Sequence, residues 1–134
     1  MTGPKGGVKT SGMEKRIFYH DTDAGGVVYY ANYLKYMEEA RTLYLEERGV
    51  AAHGDFLYAV RKCTITYKAP ARYGDTVICE TSLKDMSAAQ MTFVQNIHLK
   101  EDKKLLVAAD VTLVSLTPDF KPVPIPENIR QKLS

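Results

Sequence analysis

Between Tyr30 and Arg48, apolar side chains recur at Tyr33, Met37, Ala40 and Tyr44, the i, i+4, i+7, i+11 spacing of one helical stripe. Lys35, Glu38, Glu39, Thr42 and Glu46 occupy other faces, while Leu34, Tyr36, Leu43 and Leu45 widen the apolar arc. The pattern predicts a helix over Tyr30–Arg48, stopped at Gly49 and covered on most sides. From about Leu57 to Leu116 the period changes to two. Cys63, Ile65 and Tyr67 alternate with Lys62, Thr64, Thr66 and Lys68; Val77, Cys79 and Leu83 alternate with Glu80, Ser82 and Lys84. Met91, Phe93, Gln95, Ile97 and Leu99 follow the same rule, and Leu105–Leu116 is almost continuously apolar, as a central strand is. The short turns Asp85–Gln90 and Lys100–Lys104 join these strands as an antiparallel meander. Arg16–Tyr19 reads as one more short strand. The proline-rich tail from Pro118 stays outside the sheet interior and ends in a helical turn at Glu127–Leu133.

One long apolar helix and about four antiparallel strands predict an α+β domain. Its economical form is a curved antiparallel sheet wrapped around one central helix, the hotdog arrangement. Residues 1–12, rich in Gly, Lys, Ser and Thr, read as a flexible lead-in with Met13 as a candidate start, leaving 13–134 as the folded domain.

Composition narrows the function. The chain has 134 residues and a net charge of +2, too balanced for a nucleic-acid footprint. No apolar run approaches the ~20 residues needed for membrane insertion. A cytoplasmic location is the default expectation. Cys63 and Cys79 fit no zinc spacing and read as buried free thiols.

The chemistry concentrates between Tyr19 and Tyr33. Asp21, Asp23, Gly25 and Gly26 stand immediately before the predicted helix, whose N-terminus offers unpaired N–H groups and a positive dipole end. Such a terminus can hold a carbonyl oxygen as charge develops on it, while a carboxylate attacks or activates water. Asp21 reads as a turn-former that orients the loop. A calcium loop starting at Asp21 fails at Gly25 and at Asn32, where the twelfth-position Glu would stand, so no metal is expected. His53 and His98 read as surface or sheet residues. Glu38 and Glu39 read as a solvated helix face, with Glu38 the second choice for a catalytic carboxylate.

Asp21-Thr22-Asp23-Ala24-Gly25-Gly26-Val27-Val28-Tyr29, then Ala31, Asn32, Tyr33 and a helix bearing Glu39-Ala40-Arg41, resembles the signature of the 4-hydroxybenzoyl-CoA thioesterase family of hotdog proteins. It is most similar to the YbgC-like, Tol-Pal-associated subgroup of acyl-CoA thioesterases. A second block, Val60-Arg61-Lys62, then Tyr67 and Ala69-Pro70-Ala71-Arg72-Tyr73-Gly74-Asp75, matches too. The resemblance implies hydrolysis of an acyl-CoA thioester without cofactor or metal. It carries the catalytic carboxylate onto Asp23, as nucleophile or general base, and the carbonyl-polarising amide onto Tyr30. Gly25, Gly26, Val27 and Tyr33 fall at the thioester, and Arg61, Lys62 and Arg72 are the cations offered to CoA. Tyr30 departs from the His that many members of the subgroup carry. The family also implies a homo-oligomer, dimer or dimer of dimers. The alternatives are an acyl carrier protein as the acyl donor, and a non-catalytic acyl-CoA- or protein-binding module.

Overall fold

The computed structural model describes residues 10–51 and 54–134. The predicted lead-in therefore lies, for residues 1–9, outside the described residues, as does His53. Five strands form one antiparallel sheet: β1 (Thr10–Arg16), β2 (Leu57–Tyr67), β3 (Thr76–Met86), β4 (Gln90–Leu99) and β5 (Leu105–Leu116). The order across the sheet is β1-β3-β4-β5-β2, with every neighbouring pair antiparallel. The helices are α1 (Asn32–Glu47) and α2 (Glu127–Leu133). This is the predicted hotdog arrangement, and α1 packs over β1 and β3.

The meander holds for β3, β4 and β5, but β2 is carried to the far side of β5. Its return segment, Lys68–Asp75, therefore crosses the end of the sheet. Lys68 and Ala69 both donate to the Leu106 carbonyl as it begins, and Ala71 is fully buried within it. That crossing places the Ala69–Asp75 part of the second sequence block against the first.

The first strand departs from expectation. β1 starts at Thr10, so the predicted lead-in contributes Thr10–Gly12 to the sheet, and Tyr19–Asp21 is a single 3₁₀ turn rather than strand. Thr-Ser-Gly-Met-Glu-Lys-Arg is a poor strand sequence; its conformation comes from pairing with β3, with Ser11, Met13 and Lys15 on the partly covered face. The extended stretch ends where the Asp21 carboxylate accepts the Phe18 N–H at 2.8 Å.

The α1 stripe behaves as predicted: Tyr33, Met37, Ala40 and Tyr44 are buried, joined by Tyr36, Arg41 and Leu45. Leu34 and Leu43 stay 45% and 43% exposed, so one side of the helix is uncovered. The helix ends in a Schellman motif, in which Val50 N–H donates to the Leu45 carbonyl and Gly49 N–H to that of Glu46. Gly49 has φ +77°, a left-handed conformation that glycine adopts without Cβ strain. Opposite α1, the core is built by Val77, Cys79, Met91, Phe93, Ile97, Val107 and Val111. Cys79 is buried as expected, whereas Cys63, on the edge strand β2, is only half-buried; both are free.

Candidate active site

The acidic loop folds as a small hairpin before α1. Thr22 bridges to Val28, Asp23 N–H donates to the Val27 carbonyl at 2.9 Å, and Gly26 N–H to the Asp23 carbonyl at 3.0 Å. Three residues therefore span the tip, and Gly26 closes it at φ +79°, the left-handed position such loops require. The Asp23 carboxylate stands exposed at this tip. Its Oδ1 accepts the Gly25 N–H at 2.8 Å, which fixes the side chain and leaves Oδ2 without a partner among the described residues.

Asp21 has the opposite environment. It is 5% exposed and binds the loop at both ends. Its carboxylate takes the Phe18 N–H, while its carbonyl accepts the Tyr29 N–H at 3.1 Å and the Asn32 Nδ2–H at 2.9 Å. Burial raises its pKa, but the Phe18 amide, the Tyr36 hydroxyl and the charges of Lys15 and His20 together outweigh it and hold the carboxyl below the usual range. The Tyr36 hydroxyl is buried beside this carboxylate with no hydrogen-bond partner among the described residues, and it acts on Asp21 electrostatically. Burial first, and then the Asp21 charge, push the Tyr36 phenol well above its ordinary pKa. Lys15 Nζ lies 5.4 Å from the Tyr36 ring centroid and 5.7 Å from that of Phe18. Asp21 is thus the turn-former expected of it.

The helix begins later than predicted. Asn32 N–H donates to the Tyr29 carbonyl, and the Tyr33 and Leu34 amides to those of Tyr30 and Ala31, so Tyr29–Ala31 is a tight lead-in turn. Tyr30 precedes the regular helix, and its N–H donates to no acceptor among the described residues. Its 60% exposed ring packs on Tyr29 and Tyr67, and the Tyr67 hydroxyl approaches its carbonyl at 3.4 Å.

An open cleft of about 300 Å³ lies beside this turn, lined by Tyr30, Tyr33, Tyr67, Lys68, Ala69 and Pro70. Tyr33 is nearly fully buried and forms the floor; its hydroxyl accepts the Ala71 N–H at 3.1 Å, tying α1 to the crossing segment. Val28 N–H donates to the Ala71 carbonyl and Val27 bridges to Arg72, so the hairpin is stitched to the same segment.

Of the residues singled out from sequence, Asp23, Gly25, Gly26 and Val27 lie on the hairpin, Tyr30 in the lead-in turn and Tyr33 in the first turn of α1. Arg61 and Lys62 do not join them within one chain. They are exposed at a bulge in β2, about 16–20 Å before Tyr67 at the usual strand rise. Arg72, facing Val27, is nearer. Sequence reasoning missed Tyr67 and Lys68 as cleft residues, although Pro70 just beyond them marks the point where β2 must leave the sheet.

The profile of the thioesterase-like superfamily matches residues 19–133. An acyl-CoA thioester hydrolase YbgC of Escherichia coli O6:H1 is 36% identical over 119 residues, covering 85% of this chain and 88% of that protein. A chloroplastic acyl-acyl carrier protein thioesterase of Arabidopsis thaliana is 29% identical, covering 98% of this chain and 72% of that protein. The crystal structure of a 1,4-dihydroxy-2-naphthoyl-CoA thioesterase from Synechocystis superposes with a TM-score of 0.84 at 26% identity, covering 93% of this chain and 96% of the other. The chain belongs to the thioesterase-like superfamily.

Proposed function

We propose that this member of the thioesterase-like superfamily hydrolyses an acyl-CoA thioester to a free carboxylic acid and CoA, with Asp23 as the catalytic carboxylate and the Tyr30 amide as the oxyanion donor. One observation carries the assignment. A backbone N–H that is unpaired among the described residues, in the turn at the entrance to α1, follows directly on a hairpin whose tip carries an aspartate with its Oδ2 unengaged there. As a general base, Asp23 takes a proton from water as its oxygen attacks the thioester carbonyl. As a nucleophile, it adds to that carbon itself, and water then cleaves the anhydride. On either route the carbonyl oxygen gains negative charge, which the Tyr30 N–H stabilises, and the C–S bond breaks to release CoA as thiolate. The Asx-type bond from Gly25 holds Asp23 ready without consuming its second oxygen, and Val27, between hairpin and crossing segment, keeps tip and amide in register.

Arg72, whose backbone bridges to Val27 of the hairpin, is the cation offered to the CoA phosphates. Arg61 and Lys62 reach a CoA bound at this hairpin from a second copy of the chain, which gives the oligomer a catalytic purpose. Among the described residues the outer edge of the 11-residue strand β2 is unpaired, and Val60 and Tyr67 on it are 52% and 43% exposed. A long open edge of this kind invites strand pairing between copies. No described helix is long and apolar enough to cross a membrane.

Thiol release from short, long and aromatic acyl-CoAs tests the reading, with Asp23→Asn as the comparison. Turnover that falls at least ~100-fold in the variant is expected. Turnover untouched by Asp23→Asn removes Asp23 from the mechanism. No turnover of acyl-CoA, with cleavage of acyl groups carried on acyl carrier protein, moves the substrate to that carrier; no turnover of either leaves a binding module.

A further inference from the structure

The hairpin that carries Asp23 stands beside an exposed aromatic pair. Tyr19 and Tyr73 are 79% and 61% exposed, and their rings meet edge to face with centroids 6.1 Å apart. Each is tied to a different strand of the hairpin. The Tyr19 carbonyl accepts both the N–H and the hydroxyl of Thr22, at 3.0 and 2.7 Å, one residue before Asp23. Tyr73 follows Arg72, which bridges to Val27, and the Val27 carbonyl takes the Asp23 N–H. Tyr73 itself stands at the corner of a tight turn, where Asp75 N–H donates to the Arg72 carbonyl at 3.0 Å and Gly74 takes φ +89°. Two strand spacings, about 10 Å, separate the Asp23 backbone from that of Arg72.

Single exposed tyrosines are ordinary. Two exposed rings held at 88° to each other, from segments far apart in the chain, are a preformed surface for a flat ring, which stacks on one face while its edge meets the other. In the chain Tyr19 is flanked by Phe18, 51% exposed, and His20, which stack on each other with centroids 6.2 Å apart. Cations stand close by. Arg16 and Arg72 are both exposed, and neither guanidinium has an ion-pair partner among the described residues. Arg16 is held beside the turn, because Ile17 donates to the Asp75 carbonyl and accepts from Gly74 N–H. Asp75 Oδ2 is taken by the Arg72 N–H at 2.8 Å, and Glu14 pairs with Lys100 at 3.0 Å.

We propose that the Tyr19–Tyr73 pair is a platform for the adenine of CoA and that Arg72, with Arg16, takes the adjoining phosphates. The nucleotide is then bound by the same protomer whose Asp23 acts on the thioester. The inference rests on the acyl-CoA hydrolase reading above and adds to it the place of the nucleotide. Stacking needs only the π face of the base, and a guanidinium matches two phosphate oxygens with its planar fork. A CoA thioester carries its acyl group and its nucleotide at opposite ends of an extended pantetheine arm, as the hairpin tip and the aromatic pair are set apart here. An acyl group on a carrier protein brings no adenine and leaves the pair empty.

The test compares kcat/KM for one acyl group carried on CoA and on pantetheine, which lacks the nucleotide, in the parent, Tyr19→Leu, Tyr73→Leu and Arg72→Met. Leucine keeps apolar bulk and removes the π face. The parent is expected to favour the CoA thioester. Each variant should lose about tenfold on it, through KM, while its rate on the pantetheine thioester holds. A disturbed hairpin lowers both substrates together. Equal losses on the two in the leucine variants, or no loss on acyl-CoA in either, therefore overturns the proposal. Calorimetric titration with adenosine 3′,5′-bisphosphate needs no turnover: the parent should bind it, and Tyr73→Leu about tenfold more weakly. A parent that hydrolyses neither thioester strikes the hydrolase reading, and the titration still decides the platform. A parent that does not bind the bisphosphate, or binds it no better than Tyr73→Leu does, overturns the platform whatever the rates.

Discussion

Gln95 is the most consequential polar residue in the core, and Gln95→Met is the sharpest test of how that core is held. The side chain is fully buried in the middle of β4 and makes three strong bonds. Its Oε1 accepts from Arg41 at 3.0 Å, and its Nε2 donates to the Met37 carbonyl and to Thr81 Oγ1, both at 2.9 Å. Methionine keeps nearly the same volume and flexibility, so the cavity term is small. What remains is polar. Arg41 loses the one acceptor its side chain has among the described residues, and Thr81, also fully buried, loses a donor. The Met37 carbonyl keeps its place in the helical ladder and contributes little. An abandoned buried neutral group costs about 1–3 kcal/mol and a charged one more, so a total of about 3–5 kcal/mol is expected, near the cost of breaking a buried ionic contact. Urea unfolding at fixed protein concentration measures it. The diagnostic step is the pair Gln95→Met with Arg41→Met. Removing both partners leaves no buried charge behind, so the double variant should be more stable than Gln95→Met alone. Strict additivity of the two single losses, or a Gln95→Met variant within about 0.5 kcal/mol of the parent, would refute the view that Gln95 is there to satisfy Arg41.

Tyr33→Phe removes the acceptor of the buried Ala71 N–H and should cost about 1–3 kcal/mol in unfolding experiments; because that bond ties α1 to the crossing segment, activity should fall with it. Asp21, its folded pKa held below the ordinary carboxylate value, binds fewer protons in the native state than in the unfolded one. Its contribution is therefore present above the unfolded pKa of about 4 and is lost as pH falls through the depressed folded value; Asp21→Asn should lack that part of the acid slope in a pH series of melting curves. Gly26→Ala meets nothing within 4 Å, so its cost is conformational alone, from φ +79°: about 1–2 kcal/mol, with thioesterase activity falling further than stability as the Asp23 tip shifts.

Much of this arrangement can be read from the chain because its signals are local. The α1 stripe, the Gly49 stop, the two-residue period of β3 and β4 and the α2 turn each follow from side chains a few positions apart, and each is found where expected. β1 is the counter-example. Its seven residues contain one large apolar side chain, Met13, and they are a strand because β3 offers a free edge beside α1. Ser11 and Arg48 then fasten that strand to the end of the helix, the Arg48 Nη donating to the Ser11 hydroxyl at 3.0 Å. No window of the sequence contains both partners.

The candidate site divides along the same line. The Asp23 tip was legible because an Asp-x-Gly-Gly turn closes on itself: the Gly25 and Gly26 bonds span two and three residues. What holds the tip against the helix is not local. The Ala71 bonds to Tyr33 and Val28 link residues 38 and 43 positions apart, and they exist only because β2 passes to the far side of β5 and must return across the sheet end. The same crossing explains the cleft. Tyr67 and Lys68 read as one more alternating strand pair, yet they sit where β2 leaves its ladder, so the last ring is turned toward Tyr30 instead of being covered by a neighbour. The first block and the Ala69–Asp75 part of the second, far apart in the chain, thus form one physical unit: the Val28 and Tyr33 bonds to Ala71 fix the hairpin and the helix entrance to the same returning segment.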